Sequence, residues 1–215
     1  MKKVGIIGAS GMAGSAIYKL ASEQPELEVT GIVRNKAKAE KVLGSDANLL
    51  IGNILDMNDS LLEKFNVIVD AFGTSPEKAA DQITLAKKLI TIAKRNKARV
   101  IFILGAGSLY TGEDHHLVVE DIAAMDGADA WLNTPRQQLK ELEFLNNIDD
   151  VDWLGISPSM LFEAGPATDY IVGEDELLYN AKNESKVTSG TMAKLVVSEI
   201  LSPEHSQERI TIVNE

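Results

Sequence analysis

The sequence predicts an α/β fold in which helices cover both faces of a mostly parallel sheet. Short β-rich runs alternate along the chain with longer segments of helical periodicity, and this alternation is typical of parallel sheets. Several of the runs are apolar throughout, as expected of strands that are buried on both faces. The chain has 215 residues, and we expect residues 1–215 to form a single domain, since α/β domains often exceed the commonest domain size.

Seven runs are predicted to be strands of this sheet. In chain order they are Val4–Ile7, Glu28–Val33, Ala47–Ile51, Val67–Phe72, Val100–Leu104, Trp153–Ile156 and Arg209–Val213.

Four segments between the strands are predicted to be helices. They are Gly11–Ala21, Pro76–Asn96, Thr134–Asn146 and Ser189–Leu201. The second is the most regular, because its apolar residues recur at helical spacing. Ser75 is a suitable cap for it and Pro76 suits its first position. Thr134 and Pro135 repeat this arrangement at the start of the third helix.

Two segments show weak periodicity, residues 105–129 and 158–179. Each follows a predicted strand, so both are expected at the carboxyl edge of the sheet. Ligands of open α/β sheets bind at that edge.

Composition and charge exclude several classes of function. The net charge of −11 disfavours nucleic acids and anionic membranes as partners. The chain has no cysteine, which excludes disulfides, thiolate catalysis and cysteine-bound metals. Gly5 and Gly8 interrupt the N-terminal apolar run too early for a signal peptide, and no apolar stretch approaches the ~18 residues of a membrane span. We expect a cytoplasmic protein.

A glycine-rich turn stands between the first predicted strand and the first predicted helix. Residues 8–14 read Gly-Ala-Ser-Gly-Met-Ala-Gly, a G-x-x-G-x-x-G spacing. Glycines at these positions allow a tight turn and a close approach of backbone amides to a pyrophosphate, and the helix N-terminus adds unpaired N–H groups. The strand and helix on either side are the context that a Rossmann dinucleotide site requires. The residues predicted to bind the cofactor here are Gly8, Ser10, Gly11, Met12, Ala13 and Gly14.

The end of the second strand predicts which dinucleotide is bound. An acidic residue there suits the ribose 2′-hydroxyl of NAD, whereas an arginine suits the 2′-phosphate of NADP. This chain has Arg34, whose planar guanidinium can donate several hydrogen bonds to a phosphate, and Lys36 could add charge. We therefore predict that NADP(H) is preferred over NAD(H).

Five segments carry a resemblance to a known family: residues 8–11, 33–35, 69–73, 104–109 and 156–165. They read Gly-Ala-Ser-Gly, Val-Arg-Asn, Val-Asp-Ala-Phe-Gly, Leu-Gly-Ala-Gly-Ser-Leu and Ile-Ser-Pro-Ser-Met-Leu-Phe-Glu-Ala-Gly. With them the chain resembles the atypical short-chain dehydrogenase/reductases of the NAD(P)H-binding, NmrA-like type. Within that type it is similar to the NADH-flavin reductase and biliverdin reductase B subgroup.

The resemblance implies further site residues. The cofactor would also contact Asn53 and Ile54 after the third strand and Phe72 and Gly73 after the fourth. At the nicotinamide end, the resemblance implies that Ser108 is the catalytic residue and places Ser157, Pro158, Ser159 and Met160 on the other side. Asn53 stands where many relatives have an aspartate.

The chain departs from the broader superfamily at the Tyr-x-x-x-Lys motif. Lys140 is present and could hold a ribose hydroxyl or be a solvated helix residue, but Arg136 stands where the tyrosine would be. Reduction of a carbonyl needs a general acid. Flavins and quinones accept hydride into a delocalised ring and can take protons from water, so positioning can suffice for them.

Three functions remain open at this point. One is an NAD(P)H-dependent reductase of a flavin, quinone or similar conjugated acceptor. A second is an NmrA-like redox sensor that binds NADP(H) without turnover, and a third is a cofactor-binding interaction protein. The segment Glu113–His116 lacks the spacing of familiar metal sites, so we predict no metal. The sequence leaves open whether the protein is a monomer or a homodimer.

Overall fold

The computed structural model describes all 215 residues, and twelve strands are present. They are β1 (Lys2–Ile7), β2 (Leu27–Val33), β3 (Leu49–Ile51), β4 (Val67–Asp70), β5 (Arg99–Ile103), β6 (Tyr110–Thr111), β7 (His116–Leu117), β8 (Trp153–Pro158), β9 (Leu161–Glu163), β10 (Tyr170–Gly173), β11 (Lys186–Thr188) and β12 (Glu208–Asn214).

Seven α-helices connect these strands. They are α1 (Met12–Ser22), α2 (Lys36–Leu43), α3 (Asp59–Leu62), α4 (Asp81–Asn96), α5 (Val118–Ala124), α6 (Asn133–Leu145) and α7 (Ser189–Leu201). Short 3₁₀ turns cover Pro76–Lys78, Ala106–Ser108 and Ala128–Ala130. None of the helices has the length and apolar character that a membrane crossing requires.

The main sheet has eight strands in the order β10-β12-β8-β5-β4-β1-β2-β3. All neighbouring pairs are parallel except β10 with β12. The chain proceeds outward from β1 through β2 to β3, then returns to the other side of β1 to form β4. This reversal is the topological switch point of a Rossmann-type doubly wound sheet, where a crevice opens between β1 and β4.

Each face of the sheet has its own apolar core. On one face α1 and α7 pack together over the strands, with Ile17 and Val196 among the buried residues. On the other face α4 and α6 pack side by side, with Leu89 and Leu145 buried beneath them. Two covered faces explain why the central strands are apolar throughout.

All seven predicted strands are present, and the fold class is confirmed. β4 ends at Asp70, two residues earlier than predicted, and the Asp70 side chain accepts a hydrogen bond from the Phe72 amide at 3.0 Å. The sequence pattern missed the antiparallel edge strand β10, the short strands β6, β7, β9 and β11, and the helices α2, α3 and α5. These elements are short, and α2 buries only Ala39, so they show little periodicity.

Two predicted helix starts are wrong. Pro76 begins a 3₁₀ turn, and α4 starts later, at Asp81. α6 starts at Asn133 with Leu132 as its capping residue, so Pro135 lies at the third helical position and not at the first. A proline is tolerated there because amides of the first turn have no partner within the helix.

Candidate functional site

A cleft of about 230 Å³ opens at the carboxyl edge of the sheet, at the switch point between β1 and β4. Eight of the residues predicted to bind the cofactor line it: Gly8, Ser10, Gly11, Met12, Arg34, Ile54, Phe72 and Gly73. The remaining lining residues are Ile7, Ile32, Val33, Lys38, Gly52 and Ala71. The structure therefore brings four predicted segments, far apart in sequence, to one place.

The glycine turn forms the floor of the cleft. Gly8 has φ +72°, a left-handed conformation that favours glycine, and a Cβ there would overlap the carbonyl of Ala71 on the neighbouring segment. Gly14 is buried in α1, where a Cβ would overlap the carbonyl of Gly8. The glycine turn thus packs closely against both the end of β4 and the start of α1. Only glycine permits this close packing at positions 8 and 14.

The N-terminus of α1 lies at the cleft and has unpaired backbone amides. Gly11 caps the helix without a side-chain hydrogen bond, and the first turn has no acidic residue. The amides of Met12, Ala13 and Gly14 have no acceptor within the protein. Unpaired N–H groups and the positive end of the helix dipole suit a phosphate group.

Two basic residues stand at the other end of the cleft. Arg34 follows β2, and Lys38 lies one turn into α2. Asn35 caps this helix by accepting a hydrogen bond from the Lys38 amide at 2.9 Å, and Arg34 and Lys38 both line the cleft. Lys36 does not line the cleft, because its side chain points to Glu40, with 3.6 Å between Nζ and Oε1.

No acidic residue lines the cleft. The protein as a whole carries a net charge of −11, so the cleft is a local region of positive charge on an acidic molecule. Lys38 was missed by the sequence interpretation. Recognising Asn35 as a helix cap would have predicted α2 and, with it, the position of Lys38.

The turn after β3 contributes Gly52 and Ile54 to the wall. Asn53 lies between them, but its side chain turns away. Its Nδ2 donates to Asp56 at 2.7 Å and its Oδ1 accepts from the Leu55 amide at 3.4 Å. The Asn53 side chain is therefore engaged within its own turn.

A pair of buried carboxyl groups lies behind the cleft wall. Asp70, at the end of β4, and Glu141, on α6, are each 5% exposed. Burial raises the pKa of Asp70 to about 7, and the hydrogen bond from the Phe72 amide opposes this increase. Burial and the charge of Asp70 raise the pKa of Glu141 well above its usual range. Glu141 was not singled out from the sequence, because a lone glutamate in a helix gives no local signal of burial.

Ser108 and Ser157 lie outside the cleft, on the α6 face of the sheet. Arg209 on β12 joins them, since its Nη1 donates to Ser108 Oγ at 3.2 Å and to Ser157 Oγ at 3.3 Å. Ser108 is 2% exposed, and its hydroxyl donates to the Gly105 carbonyl at 3.2 Å. On the other side of the guanidinium, Arg209 Nη2 donates a hydrogen bond to Asp175 Oδ1 at 2.5 Å. Both serine side chains thus have internal partners.

Ser108 and Arg209 also line a second groove, of about 430 Å³. It is larger than the cleft but lies against the inward face of α6 and the start of β12, away from the glycine turn. Its walls include Glu143, Glu174 and Glu208. This chemistry does not suit a phosphorylated ligand, so the smaller cleft is the better candidate for the site.

The other residues predicted at the nicotinamide end are near the carboxyl end of β8. Pro158 ends this strand, and Ser159 is buried with its hydroxyl donating to the Ile212 carbonyl at 2.6 Å. Met160 is exposed at the sheet edge. Lys140 is exposed on α6, forms no ion pair or hydrogen bond, and does not line the cleft. The cleft does not include these four residues.

Comparisons with known proteins identify relatives over nearly the whole length of the chain. A model of the family described as NAD(P)H-binding matches residues 8–203. The uncharacterized protein YwnB of Bacillus subtilis is 35% identical over 216 residues, which cover 99% of each chain. The structure of a Lactobacillus casei protein superposes with a TM-score of 0.90 at 30% identity and covers 99% of both chains.

A further solved structure is that of a candidate NADH-flavin reductase from Streptococcus pneumoniae. It superposes with a TM-score of 0.87 and covers 100% of both chains. At 24% identity it shows that the fold is shared.

Proposed function

We propose that this chain, which belongs to the NAD(P)H-binding family, is an NADP(H)-dependent oxidoreductase that reduces a flavin, a quinone or a similar conjugated acceptor. The observation that carries the proposal is the cleft at the switch point, with unpaired helix amides at one end and Arg34 and Lys38 at the other.

The residues of the cleft suit a dinucleotide in a defined direction. The amides of Met12, Ala13 and Gly14 would bind the pyrophosphate. Val33, Gly52 and Ile54 surround the space between these amides and the two basic residues, where an adenosine would lie. Phe72 and Gly73 would extend the wall from the pyrophosphate toward the nicotinamide.

Arg34 and Lys38 support a preference for NADP(H). A guanidinium can bind a 2′-phosphate through two hydrogen bonds, and the ammonium group of Lys38 adds a second positive charge. The cleft has no carboxylate to accept the 2′-hydroxyl of NAD, which is the usual device for NAD specificity.

The absence of the tyrosine from the Tyr-x-x-x-Lys motif supports the class of acceptor. NADPH, when bound, supplies a hydride. Arg136 occupies the position where the superfamily has a tyrosine, and the Ser108 hydroxyl is buried and occupied by Gly105 and Arg209. A simple ketone would need an acid at this point, whereas a flavin or quinone can take its proton from water. The likeness to the candidate NADH-flavin reductase of Streptococcus pneumoniae points in the same direction.

The same observation supports a second candidate function. A site without the motif tyrosine also suits a redox sensor that binds NADP(H) and performs no turnover. A sensor would bind the oxidised and reduced cofactors with different affinities.

Fluorescence titration of the wild-type protein with NADPH and NADH tests cofactor preference. We expect Arg34→Ala to weaken NADPH binding by about 10- to 100-fold, because a charge-assisted hydrogen bond contributes about 1.5–3 kcal/mol. Lys38→Ala should weaken NADPH binding by a smaller factor, and both variants should bind NADH almost as the wild type does. Lys36→Ala is the matched control, since Lys36 lies on the same helix outside the cleft. An unchanged NADPH-to-NADH ratio in Arg34→Ala would contradict the assignment.

Turnover is tested by adding FMN and then a soluble quinone to the NADPH complex and following nicotinamide absorbance. Oxidation of NADPH that is saturable in the acceptor would support the reductase. Binding without oxidation by any acceptor would favour the sensor. If neither cofactor binds, the whole proposal fails.

A further inference from the structure

Asp70 is connected to the cleft through the backbone of the next two residues. Its Oδ1 accepts a hydrogen bond from the Phe72 amide at 3.0 Å, and Ala71, Phe72 and Gly73 all line the cleft. The carbonyl of Ala71 also packs against Gly8 of the glycine turn. The Asp70 carboxyl therefore sets the position of the wall on which the pyrophosphate end of a dinucleotide would lie.

The surroundings of Asp70 offer no positive charge. Its register neighbours are Ile7 on β1 and Phe102 on β5. The buried residues of α4 are apolar except for the neutral Gln82, and the only ionisable residue buried on α6 is Glu141. Neither carboxyl forms a salt bridge, and a buried carboxylate without a cation is costly.

The Asp70 carboxyl can lose its charge without losing its contact. A neutral carboxyl group keeps a carbonyl oxygen, which still accepts the hydrogen bond of the Phe72 amide. A bound dinucleotide would bring negatively charged phosphates to the turn next to Asp70. Like charges at close range in a buried setting disfavour the ionised carboxyl.

We propose that Asp70 is a positioning residue of the cofactor cleft and that its neutral form is the one that binds NADP(H), so that binding takes up a proton and weakens as the pH rises. The proton comes from solvent and converts the Asp70 carboxylate to the carboxylic acid. This rests on the proposed placement of the dinucleotide in the cleft.

The direction in which cofactor affinity changes with pH follows from the linkage between proton binding and cofactor binding. The pKa of Asp70 in the free protein is about 7, and nearby phosphates would raise it further in the complex. Affinity then falls with rising pH between the two values, by at most a factor of ~10 per pH unit for one proton. Burial and the charge of Asp70 raise the pKa of Glu141 well above its usual range, so Glu141 is tested by a variant of its own.

The test measures the dissociation constants of NADPH and NADH by calorimetry from pH 6.5 to 8.5. We expect affinity for both cofactors to fall by about fivefold or more over this range. NADH is included because it lacks the 2′-phosphate, whose own second pKa of about 6 would affect NADPH binding at lower pH. Calorimetry at pH 7.5 in two buffers of different ionisation enthalpy should also show uptake of a fraction of one proton.

The variants identify the group. Asp70→Asn should bind both cofactors with almost pH-independent affinity, whereas Glu141→Gln should keep a pH-dependent affinity, because it retains the Asp70 carboxyl. A merely structural role of Asp70 would change affinity at all pH values equally and leave the pH profile in place. If Asp70→Asn does not fold, the proton uptake of the wild type still decides the matter.

The outcomes separate the two proposals. Tight but pH-independent binding, proton release on binding, or a wild-type pH profile in Asp70→Asn would overturn the role of Asp70 and leave the proposed function intact. Failure of the wild type to bind either cofactor at any pH would overturn the proposed function and the role of Asp70 with it.

Discussion

At the scale of single residues, three glycines near the cleft act in two different ways. Gly8 and Gly14 are needed because any Cβ would overlap a backbone carbonyl, and Gly8 also has a positive φ. Gly73 lines the cleft and has no atom within 4 Å of the position that a Cβ would take. The first two glycines therefore serve the fold, whereas the third leaves space for a ligand.

This difference predicts opposite results for two alanine variants. We expect Gly8→Ala to lower the free energy of unfolding by about 2–3 kcal/mol, because it combines a strained φ with a backbone clash. Gly73→Ala should stay within about 0.5 kcal/mol of the wild type and still weaken NADPH binding, since its methyl group would enter the cleft. Urea unfolding and fluorescence titration measure the two effects. Equal stability of both variants would contradict this account of Gly8.

At the scale of elements, polar contacts hold the irregular segment after β5. Strands β6 and β7 form a hairpin, and the Tyr110 and His115 rings stack with 4.3 Å between centroids. His115 Nδ1 lies 2.8 Å from Glu176 Oε1. His116 joins the hairpin to α5, since its two ring nitrogens lie 2.6 Å from Asp114 and 2.9 Å from Asp121. His116 therefore helps to hold this segment in place through its contacts with Asp114 and Asp121.

These contacts make the hairpin sensitive to pH. The hydrogen bonds to Asp114 and Asp121 raise the pKa of His116, and the bond to His116 lowers the pKa of Asp114. Because the His116 pKa is raised by folding, its contribution to stability is complete below the unfolded value of about 6.5 and is lost as the pH rises through the folded value. At pH 6, Asp114 remains ionised.

We therefore expect the wild type to exceed His116→Gln in melting temperature by more at pH 6 than at pH 9. Thermal unfolding of both proteins at the two pH values measures this difference. A difference that grows with pH would contradict the assignment.

At the scale of the whole molecule, the carboxyl ends and the amino ends of the parallel strands have different roles. The carboxyl edge holds the cleft, while a buried ion pair secures the amino edge. Arg99, the first residue of β5, places its Nη2 2.8 Å from Glu199 Oε2 on α7, and Glu199 Oε1 is 2.7 Å from His205 Nδ1. Arg99 also pairs with Asp152. This network ties α7 and the approach to β12 to the centre of the sheet.

This separation predicts that stability and binding can be changed independently. Glu199→Ala should reduce the free energy of unfolding by about 3–5 kcal/mol, because it removes the buried carboxylate that pairs with the buried Arg99 guanidinium. Asp152→Ala is the matched control and should cost less than about 1 kcal/mol, since the Asp152 side chain is 47% exposed. Both variants should keep the wild-type affinity for NADPH where they are folded. A loss of affinity in folded Glu199→Ala would show that the edges are coupled.

Much of the fold was predictable because its signals are local. Apolar runs marked seven of the eight strands of the main sheet, all except β10, and the glycine spacing marked the turn at residues 8–14. Short elements with few buried residues, such as α2 and α5, gave no comparable periodicity. Pro76 and Pro135 gave wrong predictions of the first residues of α4 and α6. A proline is tolerated at several positions near the start of a helix, so it does not identify the first helical residue.

By itself, the sequence determined the class of sheet, the glycine turn and the basic residue Arg34, since each depends on residues that are neighbours along the chain. Only the tertiary structure decided that Lys38, and not Lys36, faces the cleft. It also decided that Arg209 donates a hydrogen bond to the Ser108 hydroxyl. The shared buried environment of Asp70 and Glu141 likewise appears only in the folded chain. These facts depend on helix phase and on contacts across 71 or 101 residues of sequence, from 70 to 141 and from 108 to 209. No local pattern encodes such contacts, because burial and pairing are set by the packing of distant elements.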